Sequence, residues 1–208
     1  MPENDISDIA LADILDDLRG EGIDPASGPG VVIPTPRLAR TSGATLAQRL
    51  DALHSGEIHT LHERRRPWTL SKIDHLVVCP AGIVVVEPLS TRARPTLRLE
   101  GGAGQPRLEK LTAGDRDCSK RVDSLLQRVR AVTRAIDRAL PALHGVDVHA
   151  VLCSMTDDWP PHGGAFTVRG VHVLSPARLS ARVAAPGPLR ADEVDLVTAA
   201  LIKAFPQA

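Results

Sequence analysis

Residues 72–90, KIDHLVVCPAGIVVVEPLS, constrain this chain more than any other stretch. Two apolar runs are separated by Pro80, Ala81 and Gly82, a combination that favours a turn, so the segment predicts a β-hairpin. The second run, Ile83 to Val86, is continuously apolar, the pattern of a strand covered on both faces. With Ala81 and Gly82 as a two-residue turn, Leu76 pairs with Glu87, and Asp74 shares that face two residues away. One carboxylate from each strand then comes to the same side of the hairpin end. A one-residue change of register would separate them.

The surrounding segments set the fold class. Residues 43–54 show helical spacing through Leu46, Leu50 and Leu53, and residues 57–63 read as an edge strand. The triplet Arg64–Arg65–Arg66 ahead of Pro67 reads as a loop. Residues 96–99 read as a third hairpin strand, followed by a glycine-rich loop at 101–104. Residues 118–140 are the longest helical segment, because Val122, Leu125, Leu126, Val129, Val132, Thr133, Ile136 and Leu140 fit one stripe. Strands at 148–153 and 171–174, then helices at 177–183 and 191–204, complete the chain. The long helix can supply the crossover that a parallel strand pair needs. The expected class is α/β or α+β, a mixed sheet flanked by helices.

The first 41 residues have a different character from residues 42–208. Residues 5–19 read as a short amphipathic helix with Ile6, Ala10, Ile14 and Leu18 four apart, and a Gly/Pro-rich linker follows. Residues 1–30 hold eight acids and one base, whereas the remainder holds 24 bases and 17 acids, so a basic body follows an acidic segment. That segment reads as a solubilising tail, or as a helix that docks on the body or on a partner protein through Ile6, Ile14 and Leu18. A body of net +7 tolerates a polyanion without demanding one. At 43% hydrophobic and 24% charged, the 208 residues can bury a core, which excludes global disorder. No run approaches the ~18 apolar residues of a membrane span, and the acidic start is unlike a signal peptide. The expectation is a cytoplasmic protein with no membrane partner.

Asp74 and Glu87 are the densest chemical signal, since converging carboxylates are the usual anchor for a hard divalent cation. Without a metal, such a pair repels and at least one pKa should rise. Lys120, Gln127, Arg130, Arg134 and Arg138 fall on one flank of the long helix, diluted by Asp123 and Asp137. That flank and the arginine triplet either grip phosphate or are simply solvated. Trp68, Trp159, Phe166 and Phe205 are the only large aromatics, too few for base-specific stacking along a single strand. His75 alternates away from Asp74 and reads as a structural hydrogen-bonding residue. His59 and His62, three apart in a strand, point to opposite faces and make a poor metal pair. Cys79 and Cys153 read as core, whereas Cys118 reads as more exposed and lacks a CxxC partner. The glycine-rich loop lacks the GxxxxGK phosphate-loop pattern, and no serine lies in a GxSxG elbow.

The hairpin resembles the core of the NERD (nuclease-related) domain, a branch of the PD-(D/E)XK nuclease superfamily. The resemblance is carried by Ile73–Asp74–His75, Gly82, Val84–Val85–Val86 and Glu87. It continues through GDRDCSKRVDSLLQRVRAV, where Lys120 and Gln127 match a recurring lysine and glutamine. The segments VHAVLCSMTDDWP and GGAFTVRGVHVLSP are similar to the C-terminal half of bacterial, especially actinobacterial, members. Residues 42–205 are covered.

This resemblance implies a restriction-endonuclease-like αβββαβ core. It further implies that Asp74 and Glu87 hold Mg²⁺ or Mn²⁺, with Lys120 and Gln127 in the catalytic set, and that DNA is bound without sequence preference. Two positions depart from the pattern. The family lysine two residues beyond the glutamate, which orients water or stabilises developing charge, is Leu89 here, after Pro88. The Gly–Glu of the first helix is replaced by Leu46–Ala47. Leucine neither carries charge nor donates a hydrogen bond, so Lys120, or less readily Lys72, would have to supply the missing cation. Two functions follow from the resemblance. One is a degenerate nuclease fold, retained for nucleic-acid or protein binding, that needs no metal. The other is a Mg²⁺- or Mn²⁺-dependent DNA nuclease with an altered active site. The two losses favour the first.

Overall fold

Successive side chains on a strand face opposite ways, so a strand that is apolar at every position needs cover on both sides. In the computed structural model of this protein, Ile83 to Val86 have that cover and are fully buried. The chain divides into two units, residues 1–39 and 40–208. The structure describes residues 45–66, 71–101, 107–143, 145–156 and 165–208, all in the second unit. The acidic helix at 5–19, the linker, Trp68, Trp159 and residues 102–104 of the glycine-rich loop lie outside the described residues.

Six strands form one mixed sheet: β1 (His59–Arg65), β2 (Lys72–Cys79), β3 (Gly82–Leu89), β7 (Val148–Ser154), β9 (Val171–Leu174) and β8 (Phe166–Val168), in that spatial order. The pairs β3–β7 and β7–β9 are parallel and the other pairs antiparallel. Helix α2 (Ser119–Ala139) provides the expected crossover between β3 and β7. The succession α1 (Leu46–Asp51), β1, β2, β3, α2, β7 matches the expected αβββαβ order. Strands β4 (Pro95–Glu100), β5 (Leu108–Ala113) and β6 (Arg116–Asp117) are inserted before α2 as a separate three-stranded sheet. Residues 96–99 are therefore a strand, but not a third member of the hairpin's own sheet.

Each face of the main sheet has its own core. On one, Ile83, Val85, Leu89 and Leu152 pack with Val122, Leu125, Val132 and Ile136 of α2 and with Val194, Val197 and Leu201 of α4 (Ala191–Ala204). On the other, Val84, Val86, Val151 and Cys153 pack with Leu46 and Leu50 of α1 and with Leu179 and Val183 of α3 (Pro176–Val183). Burying one such aliphatic side chain contributes about 1.5–3 kcal/mol, so the two stripes hold the helices in fixed rotation. Local signals set the helix starts. Thr45 and Gln48 form a reciprocal capping box at α1, and Ser175 caps α3 with Pro176 in its first turn.

Three expectations are corrected by the fold. Arg64 and Arg65 belong to β1, not to a loop. Arg64 is buried, and its Nε donates to the Phe205 carbonyl at 2.7 Å. The end of α4 exposes carbonyls and the negative pole of the helix dipole, which this guanidinium satisfies. Cys118 is buried rather than exposed, because it precedes α2 on the core side. The hairpin turn is Pro80–Ala81, so Leu76 pairs with Val85 rather than Glu87. Gly82 explains the shift: its φ is +116°, and a Cβ there would lie 2.5 Å from the Asp147 carbonyl oxygen.

Candidate functional site

The shifted turn keeps Asp74 and Glu87 on the hairpin end and brings them closer in register than the sequence implied. Ladder pairing of β2 with β3 ends at His75↔Val86, and the same register continued places Asp74 opposite Glu87. On the other side of β2, Glu63 occupies the position opposite Asp74 with φ +49°, which interrupts the β1–β2 ladder there. Pro88 sits where β3 has already parted from β2, so its missing N–H breaks no ladder on that side.

Glu87 shares its face with Ile83, Val85 and Leu89, the face that α2 covers. Its carboxylate is 5% exposed and forms an ion pair with Nη1 of Arg128. The buried Oε1 receives this charge without a well-aligned hydrogen bond. Burial pushes the Glu87 carboxyl above its ordinary value, Arg128 opposes that rise, and the charge of Asp74 adds to it. Arg128 is itself fixed, its Nε donating to the Lys72 carbonyl at 2.8 Å and its Nη1 to Ser124 Oγ at 2.7 Å. About two helical turns earlier, Arg121 Nη1 donates to the Pro88 carbonyl at 3.2 Å. Arg121, Ser124 and Arg128 therefore line the side of α2 that meets the end of β3.

Lys120 and Gln127 lie elsewhere. Both are exposed, on the outer face of α2 with Asp123, Arg130, Arg134, Asp137 and Arg138. They share a flank, as the spacing implied, but that flank does not meet the hairpin carboxylates. Lys72 is also engaged away from Glu87, in an exposed ion pair with Glu63. Leu89, where the resemblance leads one to expect a lysine, is fully buried in the core beneath α2. Ala47 is on α1, against the opposite face of the sheet from Glu87.

The histidines build a second, unforeseen network across that opposite face. His62 and His75 are directly paired across β1–β2, and their Nδ1 atoms lie 2.8 Å apart. His62 Nε2 lies 2.7 Å from Asp51 Oδ1, which also accepts from Thr60 at 3.0 Å. Burial, then the neighbouring His62, holds the His75 imidazole below its ordinary value. The hydrogen bond from His62 in turn holds Asp51 below the usual carboxylate range. His59 turns the other way, to Asp195 of α4 at 2.8 Å. The cross-strand pairing of His62 with His75 was the sequence signal, visible only once the register is known.

The residues around Glu87 do not fit a hard divalent cation. The carboxylate already neutralises a guanidinium, and Arg121 adds a second positive group beside it. What the arrangement can do is hold Glu87 rigid, and present arginines and hydroxyls just beyond the strand end. An open cleft of about 670 Å³ lies there, lined by Ser90, Thr91, Arg92, Gly114, Asp115 and Arg116. No protein-family model, no curated protein and no solved structure matches this chain.

Proposed function

We propose that this protein is a nuclease-related fold with a closed catalytic end, and that it binds the backbone of nucleic acid without cutting it. One observation carries the reading: Glu87 is spent on Arg128 while Leu89 fills the core where the motif lysine would stand. Phosphate binding needs positive charge and donors rather than a metal. Arg92 and Arg116 supply both in the cleft beyond β3, beside the hydroxyls of Ser90 and Thr91. On the outer face of α2, Asp123 is neutralised by Arg169, which leaves Lys120, Arg130 and Arg134 facing solvent with less opposing charge. Among the described residues, Phe205 is buried and Phe166 packs on the core, so neither offers a stacking platform for base readout.

Fluorescence anisotropy with labelled single- and double-stranded oligonucleotides tests this. The expected result is sequence-independent binding with a dissociation constant of about 10⁻⁴–10⁻⁶ M at physiological salt. Affinity should fall steeply with salt, and the log–log slope should lose about one unit in each of Arg92→Ala and Arg116→Ala. Absence of salt-sensitive binding would move the proposal from nucleic acid to a protein partner. A Mg²⁺- or Mn²⁺-dependent phosphodiesterase is the second reading, favoured by the position of Asp74 opposite Glu87. It requires Arg128 to leave Glu87, and a cation from elsewhere.

A further inference from the structure

A cluster of two histidines and an arginine lies on the sheet face away from Glu87, and nothing in the binding reading above uses it. His149 of β7 and His172 of β9 come from adjacent parallel strands, with Val151 paired directly to His172. Val151 belongs to the core under α1 and α3, so His172 beside it and His149 two residues earlier share that face. Arg182 comes down on them from α3. All three side chains are half-buried. Arg182 has its Nε shielded from solvent with no hydrogen-bond partner, and among the described residues no carboxylate forms an ion pair with it. A guanidinium so placed costs free energy unless an anion completes it.

The hydrogen bonds define which donors remain open. His149 Nε2 lies 3.3 Å from the Ala81 carbonyl, which can only accept, so the proton is on Nε2, and Nδ1 has no hydrogen-bond partner among the described residues. His172 Nδ1 lies 3.3 Å from Thr167 Oγ1; with the hydroxyl donating, His172 Nε2–H is free. The other groups that face this cluster are the Cys79 thiol from β2, raised by burial, and Asp147 just before β7. Burial, then Arg182, depresses both imidazoles, His172 to about 4. In the free protein both are neutral, and the negative charge of an arriving anion would favour their protonation.

We propose that His149, His172 and Arg182 form a binding site for a small tetrahedral oxyanion, a phosphate group above all. The guanidinium and the His172 Nε2–H donate to it, and protonation of His149 at Nδ1 adds a third donor. Binding draws protons onto the imidazoles, so affinity rises as pH falls.

Titration of the full chain with inorganic phosphate, followed by calorimetry and by the histidine C2–H resonances, tests the proposal. Saturable binding is expected, about threefold or more tighter at pH 6 than at pH 8, with the His149 and His172 resonances moving together. Arg182→Met should abolish it; His172→Gln, which retains an amide donor, should weaken it and flatten its pH dependence. Sulfate should compete and acetate should not, which separates a tetrahedral site from general anion attraction. Failure to saturate, or equal phosphate binding by wild type and a folded Arg182→Met, would overturn it. Oligonucleotide binding is read separately, because the cleft beyond β3 contains none of these residues.

Discussion

Arg128→Ala is expected to lower the unfolding free energy by about 3–5 kcal/mol, because removing one partner of a buried ion pair strands the other charge. Glu87 is the stranded group, 5% exposed beneath α2 and already raised by burial and by Asp74. The variant also loses the donors to the Lys72 carbonyl and Ser124. The pH dependence has a definite sign. A carboxyl whose folded pKa lies above its unfolded value weakens the fold when ionised, and that cost is relieved as pH falls through the folded pKa towards the ordinary 4.5. Without Arg128 the folded pKa climbs further, so the loss of stability should be larger at pH 8 than at pH 5. Urea unfolding at the two pH values measures this. Adding Glu87→Gln to Arg128→Ala should recover most of the loss, since an amide needs no counter-charge. A cost below about 1 kcal/mol at both pH values would place the pair among weak surface bridges and remove the reason Glu87 is unavailable.

Leu89→Lys restores the residue type that the nuclease pattern calls for, and it is expected to unfold the protein rather than activate it. Leu89 is fully buried in the α2-side core, and the carboxylate nearest along its strand, Glu87, is already paired. An unpaired ammonium there should cost about 4–5 kcal/mol or more, comparable to the whole stability of a marginal domain. Leu89→Met, which nearly conserves volume, should cost under about 1.5 kcal/mol and serves as the control. Thermal unfolding and solubility separate the two variants. A well-folded Leu89→Lys that gained metal-dependent nicking would mean the cavity is open, and would return the protein to the nucleases.

The parts of this account that were legible in the sequence are those set by short periods. The stripe Val122, Leu125, Val132 and Ile136 gave α2, continuous apolarity gave β3, and α4 has the bounds that the pattern implied. The opposite faces of His59 and His62 followed from strand alternation, and their partners lie on α4 and α1. What failed depended on distance in the chain. The role of Arg64 is set by carbonyls of Ile202 and Phe205 well over a hundred residues away. The turn shifted because Gly82 must approach Asp147, again a contact remote in sequence. Strand β5, LEKLTA, lacks clean alternation and is held by β4 through pairs such as Thr96 with Thr112, whose hydroxyls bond at 2.9 Å.

The site was half legible for the same reason. Asp74 and Glu87 were placed together by the hairpin alone. Lys120 and Gln127 were correctly grouped on one flank, but a single helical step turns a side chain by about 100°, and packing decides which flank meets the sheet. The buried stripe points Arg121, Ser124 and Arg128 at the end of β3 and leaves Lys120 outside. Residues that border an apolar stripe at spacings of three and four were the available clue to Arg128.

The central claim, that the carboxylate end is closed to catalysis, is tested most directly by a plasmid assay. Purified protein is incubated with supercoiled DNA and Mn²⁺ or Mg²⁺ beside Glu87→Ala, and nicked product is quantified. The account predicts no nicking above background in either, with DNA still retarded by the wild-type protein at low salt. Metal-dependent nicking by the wild type that disappears in Glu87→Ala would contradict it.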